Sequence, residues 1–252
     1  MAAARNQPPR SRARSRLPAP LLAPVTAGSA VPLEQQIYAS LRTALMAGQI
    51  AAATPLSVRS IAEALGVSNA PVRDALKRLE ADGAITARPR SAFYTAPPSV
   101  QEYDAILAIR VRLEGMAAAA AAERADGADL APIRAALARY DLAVSAGDAA
   151  AIPQANYAFH FSIYGICGNP ILIELIANLW VRLGPLLARV QLPVAASTDD
   201  HHARVLTAIE RRDAAAAEAA IADDLLDAAR LIRATIRGLE RRDGQRPQAF
   251  GR

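Results

Sequence analysis

The sequence has 252 residues, of which 52% are hydrophobic, and its formal net charge at pH 7 is +5. This length suffices for one large domain or two modest ones, and we expect two. No uninterrupted run of about 18 apolar residues occurs, so we expect no transmembrane helix. The single cysteine, Cys167, excludes an internal disulfide bond and fits a reducing, cytoplasmic compartment. Ala, Leu, Arg and Glu dominate and strand-like alternation is nearly absent, which predicts a mainly α fold.

The N-terminal segment, residues 1–30, is rich in proline, alanine and arginine and has no helical period. Its arginines are accompanied by no acidic residue, so the positive charge of the chain is concentrated at this end. The composition predicts a disordered basic arm, and the prolines argue against an amphipathic targeting helix. Such an arm either adds a salt-sensitive attraction to DNA or is a merely solvated tail.

Two short helices joined by a tight turn are predicted within residues 57–79. Ser57 can cap the first helix and Gly66 can end it. The second helix has apolar residues at i, i+3, i+4 and i+7, with basic residues on its other faces. The pattern predicts a helix-turn-helix, although by itself it fits an ordinary helical hairpin with solvated arginines as well.

A further helix precedes this pair, and two β-prone segments follow it. The leading helix is predicted over residues 33–47, and the strands over 84–87 and 92–95, after Gly83 has ended the preceding helix. Three helices with a two-stranded wing make a winged helix-turn-helix domain, which we assign to residues 31–96.

Residues 97–99, Pro-Pro-Ser, predict a linker to a second domain over residues 100–238, in which all patterns are helical. Each predicted helix has an apolar stripe, so we expect an antiparallel bundle of about six helices with a shared interior. Pro185 is expected to kink its helix, and the polar residues 239–252 are expected to form a flexible tail. The predicted helical spans are 100–124, 130–146, 149–166, 171–190, 198–211 and 214–237.

Two sets of motifs resemble one family of proteins over roughly residues 33–238. The segment IAEALGVSNAPVRDALKRLEADGAI at 61–85 is similar to the winged-helix core of the GntR-type bacterial transcription regulators. RVRLE at 110–114, NYAFH at 156–160 and HARVLTAIERRDAAAAEAAIADDL at 202–225 resemble the FCD ligand domain of its fatty-acid-regulator subgroup. Nearly the whole folded part of the chain therefore resembles a GntR-type regulator with an FCD domain.

The resemblance implies a set of DNA-facing positions in the second helix, at the head of the recognition helix and in the wing. Arginine at the position of Arg73 can bind guanine O6 and N7 through two hydrogen bonds, although it can also contact phosphate alone. The family usually has Arg and Thr where this sequence has Asn69 and Ala70, so the operator preference of other members does not carry over. The implied positions are Arg59, Ser68, Asn69, Ala70, Arg73 and Arg90.

The resemblance also implies a divalent-metal site in the helical domain, at Asn156, His160, His202 and Asp224. Many family members have one Asp and three His at these places, so two of the four ligands are changed here. The spacing agrees with the grouping, because Asn156 and His160 share a helical face and the other two residues are equally distant in sequence from a turn at Asp213.

Zinc, nickel or manganese could each accept two His and a carboxylate, with open positions for water or an effector. Alternatively, the metal has been lost and the same polar groups line a wet cavity. His201 could take the place of His202, although the register favours His202. By resemblance, Arg110 points to this cavity, where its guanidinium could bind an effector carboxylate. Alternatively, Arg110 forms an i,i+4 ion pair with Glu114 on a helix surface and has no part in effector binding.

These motifs together predict an effector-responsive transcription regulator that is not an enzyme. A homodimer would place two recognition helices on a palindromic double-stranded DNA operator, and a small organic acid bound in the helical domain would change operator affinity. By resemblance, relief of repression is the commoner outcome, and activation is the alternative. We also considered a metal-dependent enzyme that uses His160, His202 and Asp224, and a constitutive architectural DNA-binding protein with a degenerate sensor domain.

Overall fold

The computed structural model describes residues 22–26, 28–88, 92–190 and 200–244. Within these ranges the chain forms nine α-helices and three short strands. The predicted mainly α class, a winged helix-turn-helix followed by a helical bundle, is therefore confirmed.

The N-terminal half has the winged-helix order of elements. Ser57 caps α2 by accepting a hydrogen bond from the Ser60 amide at 3.3 Å, and Gly66 ends this helix with a φ of 66°, a conformation that favours glycine. The apolar faces of the three helices meet in a core that contains Leu41, Ile61 and Leu76, all fully buried. The elements are α1 (Leu33–Met46), β1 (Pro55–Ser57), α2 (Val58–Leu65), α3 (Asn69–Ala81), β2 (Thr86–Arg88) and β3 (Ala92–Tyr94).

The wing differs from the expected two-stranded form, because β1 adds a third strand. The antiparallel sheet has the order β1-β3-β2, and Leu56 in β1 lies opposite Phe93 in β3. A strand of three residues that begins with a proline is too short for a period-2 pattern to be recognised, so only its pairing with the distant β3 identifies β1 as a strand.

Each helical span that was predicted in the C-terminal half corresponds to a helix in the structure. Capping groups define two of the starts. Ser99 and Glu102 form a capping box on α4, which begins at the predicted residue, whereas Asp126 accepts hydrogen bonds from the amides of Ala128 and Asp129 and starts α5 before the predicted residue 130. The helices are α4 (Val100–Arg124), α5 (Gly127–Ser145), α6 (Ala151–Tyr164), α7 (Pro170–Leu187), α8 (His201–Glu210) and α9 (Ala214–Gly244).

The two ends of the chain differ from the predicted boundaries. Leu22 is buried in the core and the Ala23 amide donates to Ser40 Oγ at 2.8 Å, so packed structure begins inside the segment that was expected to be a disordered arm. At the other end, α9 continues into the predicted tail to Gly244, because Leu239 still packs against the core. Residues 1–21 and 245–252 lie outside the described residues.

Helix α7 joins the two halves of the molecule. A Cβ atom added at Gly184 would collide with the carbonyl oxygen of Leu45, so only glycine allows α7 to approach the end of α1 this closely. Beside this contact, Arg42 of α1 forms an ion pair with Glu174 of α7 at 2.9 Å. Pro185 lies inside α7, and its carbonyl accepts a hydrogen bond from the Ala52 amide at 2.7 Å.

Among the described residues, α7 alone is long and apolar enough to cross a membrane, with a mean hydropathy of 1.5. Half of this helix is buried inside the fold, and its polar residues Glu174 and Asn178 bind Arg42 of the N-terminal half. These features are those of a core helix.

Candidate metal centre and nucleic-acid interface

The N-terminal end of α3 is exposed to solvent. Ser68, Asn69, Ala70 and Arg73 are all exposed, and the Ser68 hydroxyl makes no capping hydrogen bond. The side chain of Arg59 on α2 is 75% exposed and forms an ion pair with Glu63 at 2.7 Å. Helix N-terminal amides and exposed guanidinium groups suit phosphate and base edges.

Arg90, the sixth predicted DNA-facing residue, lies outside the described residues.

The other end of α3 is fixed to its neighbours. The guanidinium of Arg78 lies 3.9 Å from the ring centroid of Tyr38, so this basic residue packs on α1. The Tyr38 hydroxyl donates to Asp82 Oδ2 at 2.7 Å, and Arg182 of α7 donates to the Asp82 carbonyl at 3.1 Å. The recognition helix is therefore held at its C-terminal end by both α1 and α7.

Three of the predicted metal ligands come together inside the bundle, from α6, α8 and α9. His160 Nε2 lies 3.4 Å from Asp224 Oδ2, and His202 Nε2 lies 3.5 Å from Asp224 Oδ1. One ligand atom from each residue falls within 4.8 Å of the others. In a tetrahedral zinc site with bonds of about 2.0–2.1 Å, neighbouring ligand atoms are about 3.3 Å apart. The two distances to Asp224 are thus close to the separation that such an ion requires, and the ligand nitrogens of the two imidazoles lie within 4.8 Å of each other.

The protonation states of the two imidazoles also suit a cation. Burial lowers the pKa of His160 well below its ordinary value, and the neighbouring His202 and Arg110 lower it further. Burial likewise lowers the pKa of His202, although Asp224 opposes this shift. Both rings are therefore neutral at pH 7, so their approaches to Asp224 are not ion pairs. Neutral imidazole is the form that binds a metal.

His202 provides the observation that tests whether a metal fits. Both of its ring nitrogens are buried and have no hydrogen-bond partner among the described residues. A buried polar atom without a partner is costly, and a metal ion coordinated by Nε2 would satisfy one of the two nitrogens. The donor set and its geometry therefore fit a divalent ion.

Aromatic rings surround the cluster. Phe159 and Tyr140 each place a ring centroid 4.3 Å from that of His202, and Trp180 lies 5.3 Å from His160. Burial and Asp224 raise the pKa of Tyr140 to about 12, so its hydroxyl stays protonated. Asn156 is half-buried one turn before His160 on α6.

His201, the alternative ligand, faces away from the cluster. Its Nε2 lies 2.7 Å from Asp227 Oδ2. The structure thus brings His202, rather than His201, to the other two ligands.

Arg110 forms the i,i+4 pair with Glu114, but the pair lies inside the bundle rather than on a helix surface. Arg110 is 3% exposed and Glu114 is fully buried. Arg110 donates from Nε to Glu114 Oε1 and from Nη2 to Oε2, the latter at 3.2 Å. The guanidinium also lies 4.7 Å from the ring of Trp180.

Two further residues, neither of which was predicted from the sequence, complete this environment. The Tyr164 hydroxyl lies 2.6 Å from Glu114 Oε2, and Trp180 Nε1 donates to Glu114 Oε1 at 3.0 Å. The same Tyr164 hydroxyl is 2.9 Å from Nδ1 of His160. Tyr164 could have been noticed because it follows His160 by four residues, whereas no local pattern pointed to Trp180.

Comparison with known proteins gives family matches for both halves of the chain. Residues 33–95 match the bacterial regulatory proteins of the gntR family, and residues 105–227 match the FCD domain. The HTH-type transcriptional regulator McbR of Escherichia coli (strain K12) is 37% identical over 155 residues, which cover 62% of this chain and 70% of McbR. The uncharacterized HTH-type transcriptional regulator YdhC of Bacillus subtilis (strain 168) is 26% identical over 149 residues, which cover 59% of this chain and 66% of YdhC.

Solved structures agree with these matches. The structure of E. coli McbR/YncC has a TM-score of 0.74 and 30% identity, and the match covers 80% of this chain and 97% of the other. A putative GntR transcriptional regulator from Rhodococcus sp. RHA1 has a TM-score of 0.62 at 21% identity, covering 79% and 96% of the two chains, and shows the fold alone.

Proposed function

Because the chain belongs to the GntR family of bacterial transcription regulators and has an FCD domain, we propose that it is a metal-containing, effector-responsive repressor that binds a palindromic operator as a homodimer. Its relatives are transcription regulators and not enzymes. A cytoplasmic location follows from this role. The observation that carries the sensing part of the proposal is the cluster of the buried His160 and His202 with the partly buried Asp224, in which both ring nitrogens of His202 are unpaired.

We assign these functions to two domains. A winged helix-turn-helix over residues 31–96 would bind DNA, and a domain over residues 100–238 would bind the effector and form the dimer. Residues 97–99 join the two domains. In the first domain the proposed DNA-facing residues are Arg59, Ser68, Asn69, Ala70, Arg73 and Arg90. The exposure of the α3 N-terminus supports this set.

In the second domain, His160, His202 and Asp224 would hold one zinc, nickel or manganese ion, with Asn156 as a weak fourth ligand. The bound ion would supply open coordination positions for an effector oxygen. Two nitrogens of Arg110 are engaged by Glu114, which leaves Nη1 to pair with an effector carboxylate. The proposed effector-binding set is therefore Arg110, Asn156, His160, His202 and Asp224.

Helix α7 supports a route from this site to the DNA-binding domain. Trp180 on α7 donates to Glu114 beside the cluster, while Arg182 and Gly184 on the same helix contact the ends of α3 and α1. An effector can shift operator affinity only by as much as it binds two arrangements of the domains differently. A change in the position of α7 is the difference that we propose.

DNA binding tests this function. Wild type, R73A and R139A are each used to select genomic fragments at moderate salt, and the enriched site is then footprinted. Arg139 is exposed on α5, away from the helix-turn-helix, and serves as the matched control. We expect R139A to protect the same site as wild type, and R73A to lose specific protection because each good bidentate contact contributes about 1–3 kcal/mol of base discrimination. A retained R73A footprint would refute the assignment of α3.

The same assay tests the sensing role. With the metal-loaded protein, we expect one of a panel of organic acids to release the operator and to be recovered unchanged. Operator binding that no acid alters would favour the constitutive architectural protein, and turnover of an acid would favour an enzyme.

A further inference from the structure

The two ring nitrogens of His160 face different surroundings. Nε2 is directed to Asp224, whose Oδ2 lies 3.4 Å away, and Nδ1 lies 2.9 Å from the hydroxyl of Tyr164. A neutral imidazole carries a proton on one nitrogen only, and the other nitrogen has the lone pair that binds a metal. The proton position therefore decides which side of the ring can act as a ligand.

The hydrogen bonds around Tyr164 fix that position. Its hydroxyl lies 2.6 Å from Oε2 of Glu114 and has a single proton to donate. The guanidinium of Arg110 donates one hydrogen bond to each oxygen of Glu114, so the carboxylate presents both oxygens as acceptors. The phenol O–H must therefore donate its hydrogen bond to Glu114, and the Tyr164 oxygen can only accept a hydrogen bond from Nδ1–H of His160.

The carboxylate of Glu114, which ends this series of hydrogen bonds, is itself held by several donors. Trp180 Nε1 donates to Oε1 of Glu114 at 3.0 Å, on the oxygen that also accepts from Arg110 Nε. Glu114 is fully buried, so no solvent competes for its lone pairs. Both oxygens are thus occupied by donors from three helices, α4, α6 and α7.

We infer that Tyr164 and Glu114 are positioning residues, which hold His160 in the Nδ1-protonated tautomer so that its Nε2 lone pair faces the cation site. This inference rests on the proposed metal-binding function. Partners that orient a metal-binding histidine in this way typically change metal affinity 10–100-fold when they are mutated.

The test compares Y164F with Y157F in the full-length protein. Both substitutions remove one hydroxyl from α6, but Tyr157 packs on Phe161 and Trp180 and is not bonded to His160. Long-range ¹H–¹⁵N spectra of the metal-free protein report the tautomer of each of its three histidines. Competitive titration with Zn²⁺ and the absorption spectrum of the Co²⁺ form report the site itself.

We expect wild type and Y157F to carry the His160 proton on Nδ1, and Y164F to shift it at least partly to Nε2. Zinc affinity should fall about 10–100-fold in Y164F and stay within twofold in Y157F, with a Co²⁺ spectrum that changes in Y164F alone. E114Q should act in the same direction, and Y164F keeps the test valid if E114Q does not fold.

An Nε2-protonated His160 in wild type, or a Y164F protein that matches Y157F in tautomer and zinc affinity, would overturn the inference. A wild-type protein that binds no Zn²⁺ would instead refute the proposed metal site, while the tautomer measured without metal would still decide whether Tyr164 positions the ring.

Discussion

At the scale of single residues, the neighbouring pair His201 and His202 shows how one position decides a role. Their side chains belong to the same turn of α8, yet His202 lies beside Asp224, whereas His201 pairs with Asp227. The pair between His201 and Asp227 is a surface contact, because the side chain of Asp227 is 60% exposed. His202 has no such partner and remains buried with both nitrogens unsatisfied.

This difference predicts the outcome of a matched pair of substitutions. After mild chelation and re-metallation, H201A should retain one equivalent of zinc, and H202A should lose stoichiometric metal because only His160 and Asp224 remain close together. Elemental analysis of the purified proteins measures both. Metal retained by H202A and lost by H201A would reverse the assignment, and a wild-type protein without affinity for zinc would favour a wet polar cavity.

At the scale of elements, α7 contacts both halves of the molecule. Trp180 on this helix donates to Glu114 beside the cluster, and Gly184 lies against the end of α1. Just after the helix, Arg189 donates to the Ala52 carbonyl at 2.8 Å. The glycine has a steric reason, because backbone atoms of Leu45 and Met46 occupy the space that a side chain would need.

Substitution of this glycine should therefore loosen the contact between the domains. In G184A, the added Cβ would collide with the Leu45 carbonyl, and we expect a loss of about 1–3 kcal/mol in the free energy of unfolding, typical of overpacking. G238A is the matched control, because Gly238 lies in α9 with nothing within 4 Å of the added atom. It should be neutral or stabilising by up to about 1 kcal/mol.

Urea denaturation compares the two variants with wild type. A G184A protein as stable as G238A would mean that α1 and α7 do not pack this closely in solution.

At the scale of the whole molecule, the proposed dimer determines how the operator is read. Two copies of the 26.6 kDa chain related by a two-fold axis would place their α3 helices in successive major grooves, about one helical turn apart. We expect sedimentation to give twice the chain mass and footprints to contain two inverted half-sites. Five base pairs inserted between the half-sites should abolish tight binding, because one half-site rotates to the opposite face of the duplex. A monomer that protects a single half-site would contradict the dimer.

Local sequence patterns alone determined much of this molecule. The helix-turn-helix, the six helical spans that follow and the caps at Ser57 and Gly66 depend on residues close together in the chain, so periodicity and capping chemistry reveal them. The proximity of His202 to Asp224 was predictable for a related reason. Two antiparallel helices joined at Asp213 bring residues at equal distances from the turn to the same level.

Only the tertiary structure decided what depends on contacts between distant elements. Strand β1 exists because β3 pairs with it, and Arg78 turns from the recognition surface because Tyr38 of α1 lies beneath it. The sequence left open whether Arg110 pairs with Glu114, and it gave no reason to bring Trp180 to the same carboxylate. The direction of a side chain and its burial are set by packing across helices, which a one-dimensional pattern does not contain.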